Sequence, residues 1–226
     1  MEPGNIVFEV ATWLIPLVIA IVLHEISHGW AANAFGDPTA KEQGRLSLNP
    51  IRHVDPVGTV VLPLILAVTG APVFGWARPV PVLAARMRNP RVHMMLVALA
   101  GPGINLLLGL VGAFLLAALL PFVRPEQTAA VFLAVNLENF VLINIFLAVF
   151  NMLPLPPFDG GHVVEGLLPR PLAARYAALG RYGFLLVILL IVVLPMISPA
   201  LDIVPAIVVP PVRAILSFFL AIAGIG

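Results

Sequence analysis

Six apolar runs separated by short clusters of Pro, Gly and Arg dominate this sequence, spanning about 6–35, 57–77, 92–120, 129–153, 183–197 and 203–223. A helix needs ~20 mostly apolar residues to cross the hydrocarbon core of a bilayer, and most of these runs are that long. Of 226 residues, 61% are hydrophobic and 10% charged, against about 25% charged in a soluble domain. The composition excludes a soluble globular protein and also disorder, which needs low hydrophobicity and high charge. A net charge of +1 supplies no basic field for nucleic acid. The expected fold is an all-α integral membrane bundle of about five or six transmembrane helices, a single domain over 1–226. The stretch before the first run carries Glu2 and Glu9 and no Lys or Arg. It therefore reads as the start of a retained helix and not as a cleaved signal.

The second run departs from the pattern. Gly58, Pro63, Gly70, Pro72 and Gly75 interrupt it, and its continuous helical stretch, 59–69, is too short to span. Apolar runs of ~10–14 residues are often re-entrant, and broken backbone at membrane depth needs a cover of protein or a water cavity. Basic residues point the same way. Lys41, Arg45 and Arg52 follow run one; Arg78, Arg86, Arg88 and Arg91 precede run three; Arg170, Arg175 and Arg181 follow run four. If the second run, with the extended stretch to about 85, dips in and returns, all three basic loops share one face. The positive-inside rule makes that face cytoplasmic.

With no cysteine in the chain, a thiol nucleophile, an iron–sulfur site and a zinc finger are all excluded. Any metal must be held by His, Asp, Glu or Asn. Ionisable groups inside a span are expensive and mark functional sites. Run one contains His24-Glu25-Ile26-Ser27-His28, the pattern H-E-x-x-H. Residues i and i+4 of a helix share a face, so His24 and His28 can grip one zinc ion, with Glu25 beside them to take a proton from a water the ion activates. The competing reading is two buried histidines and a glutamate tied to neighbouring helices. A catalytic zinc site wants a third protein ligand. Asp159 stands out in the segment 151–161, where Pro154, Pro156 and Pro157 forbid regular helix and Gly160 and Gly161 allow sharp turns. An extended stretch aiming the carboxylate into the bundle is expected; a Pro/Gly turn with a solvent-facing Asp is the alternative. If run two is re-entrant, runs one and four are parallel and their C-terminal ends, with His28 and Asp159, meet near one face.

Five stretches carry a resemblance to a known family: HEISHGWAANAFGD, GRLSLNPIRHVDPVGT, FGWARPVPV, ALAGPGINLLLG and NIFLAVFNMLPLPPFDGGHVVEGLLP. Together they make the chain similar to the site-2 proteases, intramembrane zinc metalloproteases, and closest to short bacterial-type members without a PDZ or CBS module. The resemblance implies Zn2+ held by His24, His28 and Asp159, with Glu25 as general base and later proton donor. It makes Asn151 a candidate donor to the oxyanion; an amide bonded to a freed backbone carbonyl is the equal alternative. Gly101, Pro102 and Asn105 match the family's G-P-x-x-N element, the first two suiting close helix packing and Asn105 a supporting role, as does Gly160 beside the aspartate. The resemblance implies transmembrane protein substrates, the lipid bilayer as surroundings, and a place in a prokaryotic cell membrane with the site toward the cytoplasm.

Lesser expectations come from the residues. The stretch 74–82, with Trp76, Arg78 and Pro79, is extended because its prolines exclude helix; it would hold a substrate strand by β-addition or serve as an interface loop. Asn136, Glu138, Asn139 and Asn144 line a water path or bond neighbouring helices. His53, His93 and His162 are not expected to be ligands, though His162 lies near Asp159. A metal or proton transporter using the same His/Asp cluster is the alternative function. It requires ionisable residues along a path through several spans, and runs five and six hold almost none.

Overall fold

The computed structural model describes residues 5–70 and 75–226. Among the described residues, five helices are long and apolar enough to cross a membrane. In chain order the elements are α1 (Ile6–Ala34), the short α2 (Thr39–Glu42), α3 (Leu62–Thr69), α4 (Pro90–Leu119), α5 (Thr128–Asn151), α6 (Asp159–Leu167), α7 (Arg170–Ile197) and α8 (Val204–Ala223). No strand occurs among the described residues. The fourth spanning helix thus starts at Arg170, well before its apolar run. Among the bilayer-length helices, α1, α4 and α5 form the centre, with α8 packed on α4 and α5.

Local sequence explains the helix starts. Asn5 accepts a hydrogen bond from the Val7 N–H at 2.9 Å to cap α1. Asn89 caps α4, with Pro90 in the first turn where its missing N–H costs nothing. Contacts between helices fix their directions. Phe8 meets Phe132 edge-on at 5.3 Å near the starts of α1 and α5, and Asn139 Nδ2 donates to the Thr12 carbonyl at 2.9 Å. The later half of α1 meets the first half of α4, so α4 runs against both partners.

Small residues let α4 approach. A Cβ at Gly109 would lie 3.3 Å from Ile145 Cγ1, and an apolar cluster of Ala113, Val141, Ile145, Val208, Val212 and Phe219 fills the seam with α8. Lipid tails are as apolar as these side chains, so association rests on tight packing and interhelical hydrogen bonds more than on burial of oil from water. Large side chains such as Val10, Trp13, Leu14, Leu107, Leu115 and Phe218 remain exposed. They form the face a bilayer covers.

The second apolar run returns to the side it leaves. A π-helical turn at Pro56–Val61 leads into α3, and the two flanks are then tied together. The Arg78 N–H donates to the His53 carbonyl at 2.8 Å, and the Trp76 N–H to the Gly58 carbonyl at 3.1 Å. Thr59 Oγ1 donates to the Trp76 carbonyl at 2.8 Å. A segment whose ends hydrogen-bond to each other does not cross. The basic loops gather at this end of the bundle: Arg45 Nη2 donates to the Arg78 carbonyl, Arg86 pairs with Glu42, and Arg91 donates to the Leu168 carbonyl.

Candidate metal centre

His24 and His28 sit one turn apart on α1, both buried, and face α4. Their rings meet edge to face at 4.6 Å. Asp159 is the first residue of α6, where the positive end of a helix favours a carboxylate. The stretch before it is not extended as expected. It is a chain of tight turns: the Leu155 N–H donates to the Leu153 carbonyl, Phe158 to Leu155, and Gly161 to Phe158. Three prolines remove donors, and the remaining N–H groups find acceptors only by curling the chain back. A Cβ at Gly160 would strike the Met152 and Leu153 carbonyls, so only glycine lets α6 close onto the end of α5. The carboxylate consequently reaches the histidines, with Oδ2 3.2 Å from His24 Nε2 and Oδ1 3.4 Å from His28 Nε2.

The hydrogen bonds behind the rings decide what those atoms offer. The Val97 carbonyl can only accept, so His28 Nδ1 carries the proton and donates to it at 2.7 Å. His24 Nδ1 donates to Asn105 Oδ1 at 2.5 Å. Each neutral ring then presents an unprotonated Nε2, and these two nitrogens lie 3.0 Å apart. Asp159 Oδ2 is buried with no hydrogen-bond partner, as it would be where the nitrogen it approaches holds a lone pair. Two imidazole lone pairs and a carboxylate, all within 4.8 Å of one another, repel unless a cation sits among them. A borderline-soft divalent ion such as zinc fits two imidazoles and a carboxylate, with a fourth position left open.

Gly101 makes this closeness possible. A Cβ there would lie 2.5 Å from His24 Cε1, His28 Cε1 and His28 Nε2. Pro102 follows in the same turn and deletes one rung of the α4 ladder beside the Val97 carbonyl.

Glu25 is turned toward the stretch 75–83. Its Oε2 accepts from the Val80 N–H at 2.9 Å. That stretch is fastened along its length. Arg45, 8% exposed, donates to the Arg78 carbonyl at 2.8 Å and the Pro79 carbonyl at 3.3 Å. Fully buried Asp37 accepts from the Leu83 N–H at 2.6 Å. Burial alone raises the Asp37 carboxyl, but hydrogen bonds from Thr39 and Leu83, with the nearby Arg86, hold it below the usual carboxylate range. The N–H groups of Trp76, Arg78 and Val80 therefore all turn inward, while the alternate positions include Pro79 and Pro81, which have no N–H. With no N–H at Pro79 and Pro81, the stretch has few donors left for a second strand. Trp76 packs edge-on against Phe184 at 5.1 Å and over Gly58. Phe74 lies outside the described residues.

Other expectations resolve individually. Asn151 Nδ2 donates to the Leu147 carbonyl at 2.9 Å, which commits one of its two amide hydrogens. Asn136, Asn139 and Asn144 all donate to backbone carbonyls, and Glu138 is exposed. His53 donates to the Ser47 carbonyl, His93 stacks on Phe35, and His162 lies 3.7 Å from Glu165. Among the described residues, His24, His28 and Asp159 form the one candidate metal cluster. Sequence reasoning missed Val97, whose role is played by a backbone carbonyl. It also gave no role to Asp37 and Arg45, although both lie in stretches that carry the family resemblance.

The family model described as Peptidase family M50 matches residues 120–191, a span that includes Asp159. The chain is 41% identical over 183 residues to "Putative zinc metalloprotease YwhC" of Bacillus subtilis, covering 79% of each protein. It is 30% identical over 199 residues to "Putative zinc metalloprotease Rip2" of Mycolicibacterium smegmatis, covering 88% of this chain and 70% of that one. No solved structure matches. The likeness to YwhC extends over most of both proteins, and the chain belongs to peptidase family M50, the site-2 protease family.

Proposed function

We propose that this chain is a zinc-dependent endopeptidase that hydrolyses peptide bonds of transmembrane substrates, with its site toward the cytoplasmic face. One observation carries the reading: Glu25 lies beside a convergent His24, His28 and Asp159 set and is itself oriented by the Val80 N–H. Zinc in that set supplies a Lewis acid that polarises a carbonyl and acidifies water.

This chain's residues do the rest. His24, His28 and Asp159 hold the ion. Glu25, anchored through Oε2, keeps its other oxygen for the proton of the attacking water and passes that proton to the leaving nitrogen. Asn151 is the candidate donor to the oxyanion through its uncommitted N–H. Substrate helices must unwind before cleavage, because their carbonyls are tied in i→i−4 bonds. Helices broken by Gly or Pro are therefore the preferred substrates. The gathering of the basic loops around the site supports the cytoplasmic orientation. For the transporter alternative, α7 and α8 contribute no member to the cluster among the described residues.

The test is a pair of variants measured for zinc content and for cleavage of a transmembrane reporter. Glu25→Gln keeps zinc and lowers cleavage by about 10²–10⁴-fold, the usual worth of a general base. Asp159→Ala loses zinc. Undiminished cleavage by Glu25→Gln would end this reading.

A further inference from the structure

We propose that Asn144, on α5, is a positioning residue for the metal site: it fixes the orientation of Asn105, and through it the tautomer of His24. This rests on the reading of His24, His28 and Asp159 as zinc ligands. The two ligand histidines are supported differently. His28 leans on the Val97 carbonyl, a backbone group that cannot exchange donor for acceptor. His24 leans on Asn105, a side-chain amide that can rotate and present either its oxygen or its nitrogen. If Asn105 turned its NH2 to the ring, His24 Nδ1 would have to accept and the proton would move to Nε2. That N–H would then point at His28 Nε2 and Asp159, where an ion must bind.

A chain of hydrogen bonds anchored on a backbone carbonyl prevents the rotation. The Phe140 carbonyl can only accept, so the Asn144 atom 2.8 Å from it is Nδ2. Asn144 Oδ1 therefore faces α4 and accepts from Asn105 Nδ2 at 2.8 Å. The Ala20 carbonyl, 3.4 Å from the same nitrogen, adds a second acceptor on that side. Asn105 Oδ1 is left facing His24 Nδ1. Both asparagines are fully buried at 0% exposure, so water cannot stand in for a lost partner and a flipped amide would leave polar atoms unpaired. Asn144 touches neither the ligands nor any atom at the reacting centre; it acts only through Asn105.

The experiment measures zinc affinity of the detergent-purified chain by competition with a chromophoric chelator. Asn144→Leu removes the acceptor and weakens zinc binding by about 10–100-fold, the usual cost of losing an outer hydrogen-bond partner of a ligand. Asn144→Asp, protonated in so buried a place, still donates to Phe140 and accepts from Asn105, and binds zinc like the wild type. Asn105→Leu removes the amide that links Asn144 to His24. In that background Asn144→Leu changes the dissociation constant by no more than about threefold. An equal loss in both backgrounds would mean that Asn144 merely packs, and no loss in the wild-type background would overturn the proposal. The wild type without metal gives an arm independent of any variant's folding: the ¹⁵N shifts of His24 report a protonated Nδ1, and a protonated Nε2 refutes the relay. A wild type that shows this tautomer yet binds no zinc would refute the zinc reading and leave the relay standing.

Discussion

Replacing Gly101 by alanine puts a methyl group against the back of the metal site. The new Cβ lies 2.5 Å from His24 Cε1, His28 Cε1 and His28 Nε2. Non-bonded carbons are comfortable at about 3.5–4.0 Å, so the rings and α4 must part by roughly 1 Å. Neither ring yields freely. His24 is held by Asn105 at 2.5 Å and His28 by the Val97 carbonyl at 2.7 Å, both from the helix that would have to move. A metal site tolerates only about 0.5 Å of misplacement. The expected result is a zinc affinity about 10–100-fold weaker, with about 1–3 kcal/mol of stability lost to overpacking. Gly103 provides the matched control, since nothing lies within 4 Å of a Cβ there. Gly103→Ala should leave zinc binding unchanged and be neutral or slightly stabilising, because alanine is the better helix former by about 1 kcal/mol. The assay is chelator competition and thermal unfolding of both variants in detergent. Equal zinc affinity in Gly101→Ala, Gly103→Ala and the parent would show that the rings do not sit against the α4 backbone, and the packing argument would fail.

Other consequences follow from the fastening of the stretch 75–83. Asp37 has a carboxyl below its unfolded value of about 3.9, so its contribution to stability is complete above that pH and is lost as the pH falls through the lower folded value. Asn at position 37 should flatten the acid limb of thermal stability below about pH 4 and leave the neutral limb lower by a constant amount; a parallel acid limb would clear Asp37. Arg45→Gln should speed amide hydrogen exchange across 76–83 and lower cleavage, with zinc content unchanged, because it frees the Arg78 and Pro79 carbonyls without touching a ligand. Single cysteines at 54 and 84, in a chain that otherwise has none, should label from the same side of the membrane. Labelling from opposite sides would contradict the return of the 56–70 segment.

The apolar runs determined a membrane bundle by themselves, because a continuous apolar run of bilayer length satisfies its backbone hydrogen bonds in lipid within its own helix. H-E-x-x-H was legible for a similar reason: the i, i+4 relation is a property of the helix and needs no partner. The broken second run and the distribution of basic loops also announced a segment that does not cross. Asp159 was legible as a candidate, and the parallel first and fourth runs placed it near the face of His28, but its contact with His24 depends on prolines and Gly160 turning the chain from α5 into α6. Conformation at 152–158 came out as turns because N–H groups between prolines seek local acceptors, a competition that periodicity does not register. What only the tertiary structure decided is the chemistry behind the ligands. The proton positions on His24 and His28 follow from Asn105 and the Val97 carbonyl, which lie far along the chain; the G-P-x-x-N element singles out Asn105 but not the ring it meets. Sequence named the atoms that can hold a metal; packing against α4 decided which of their nitrogens are free to do so.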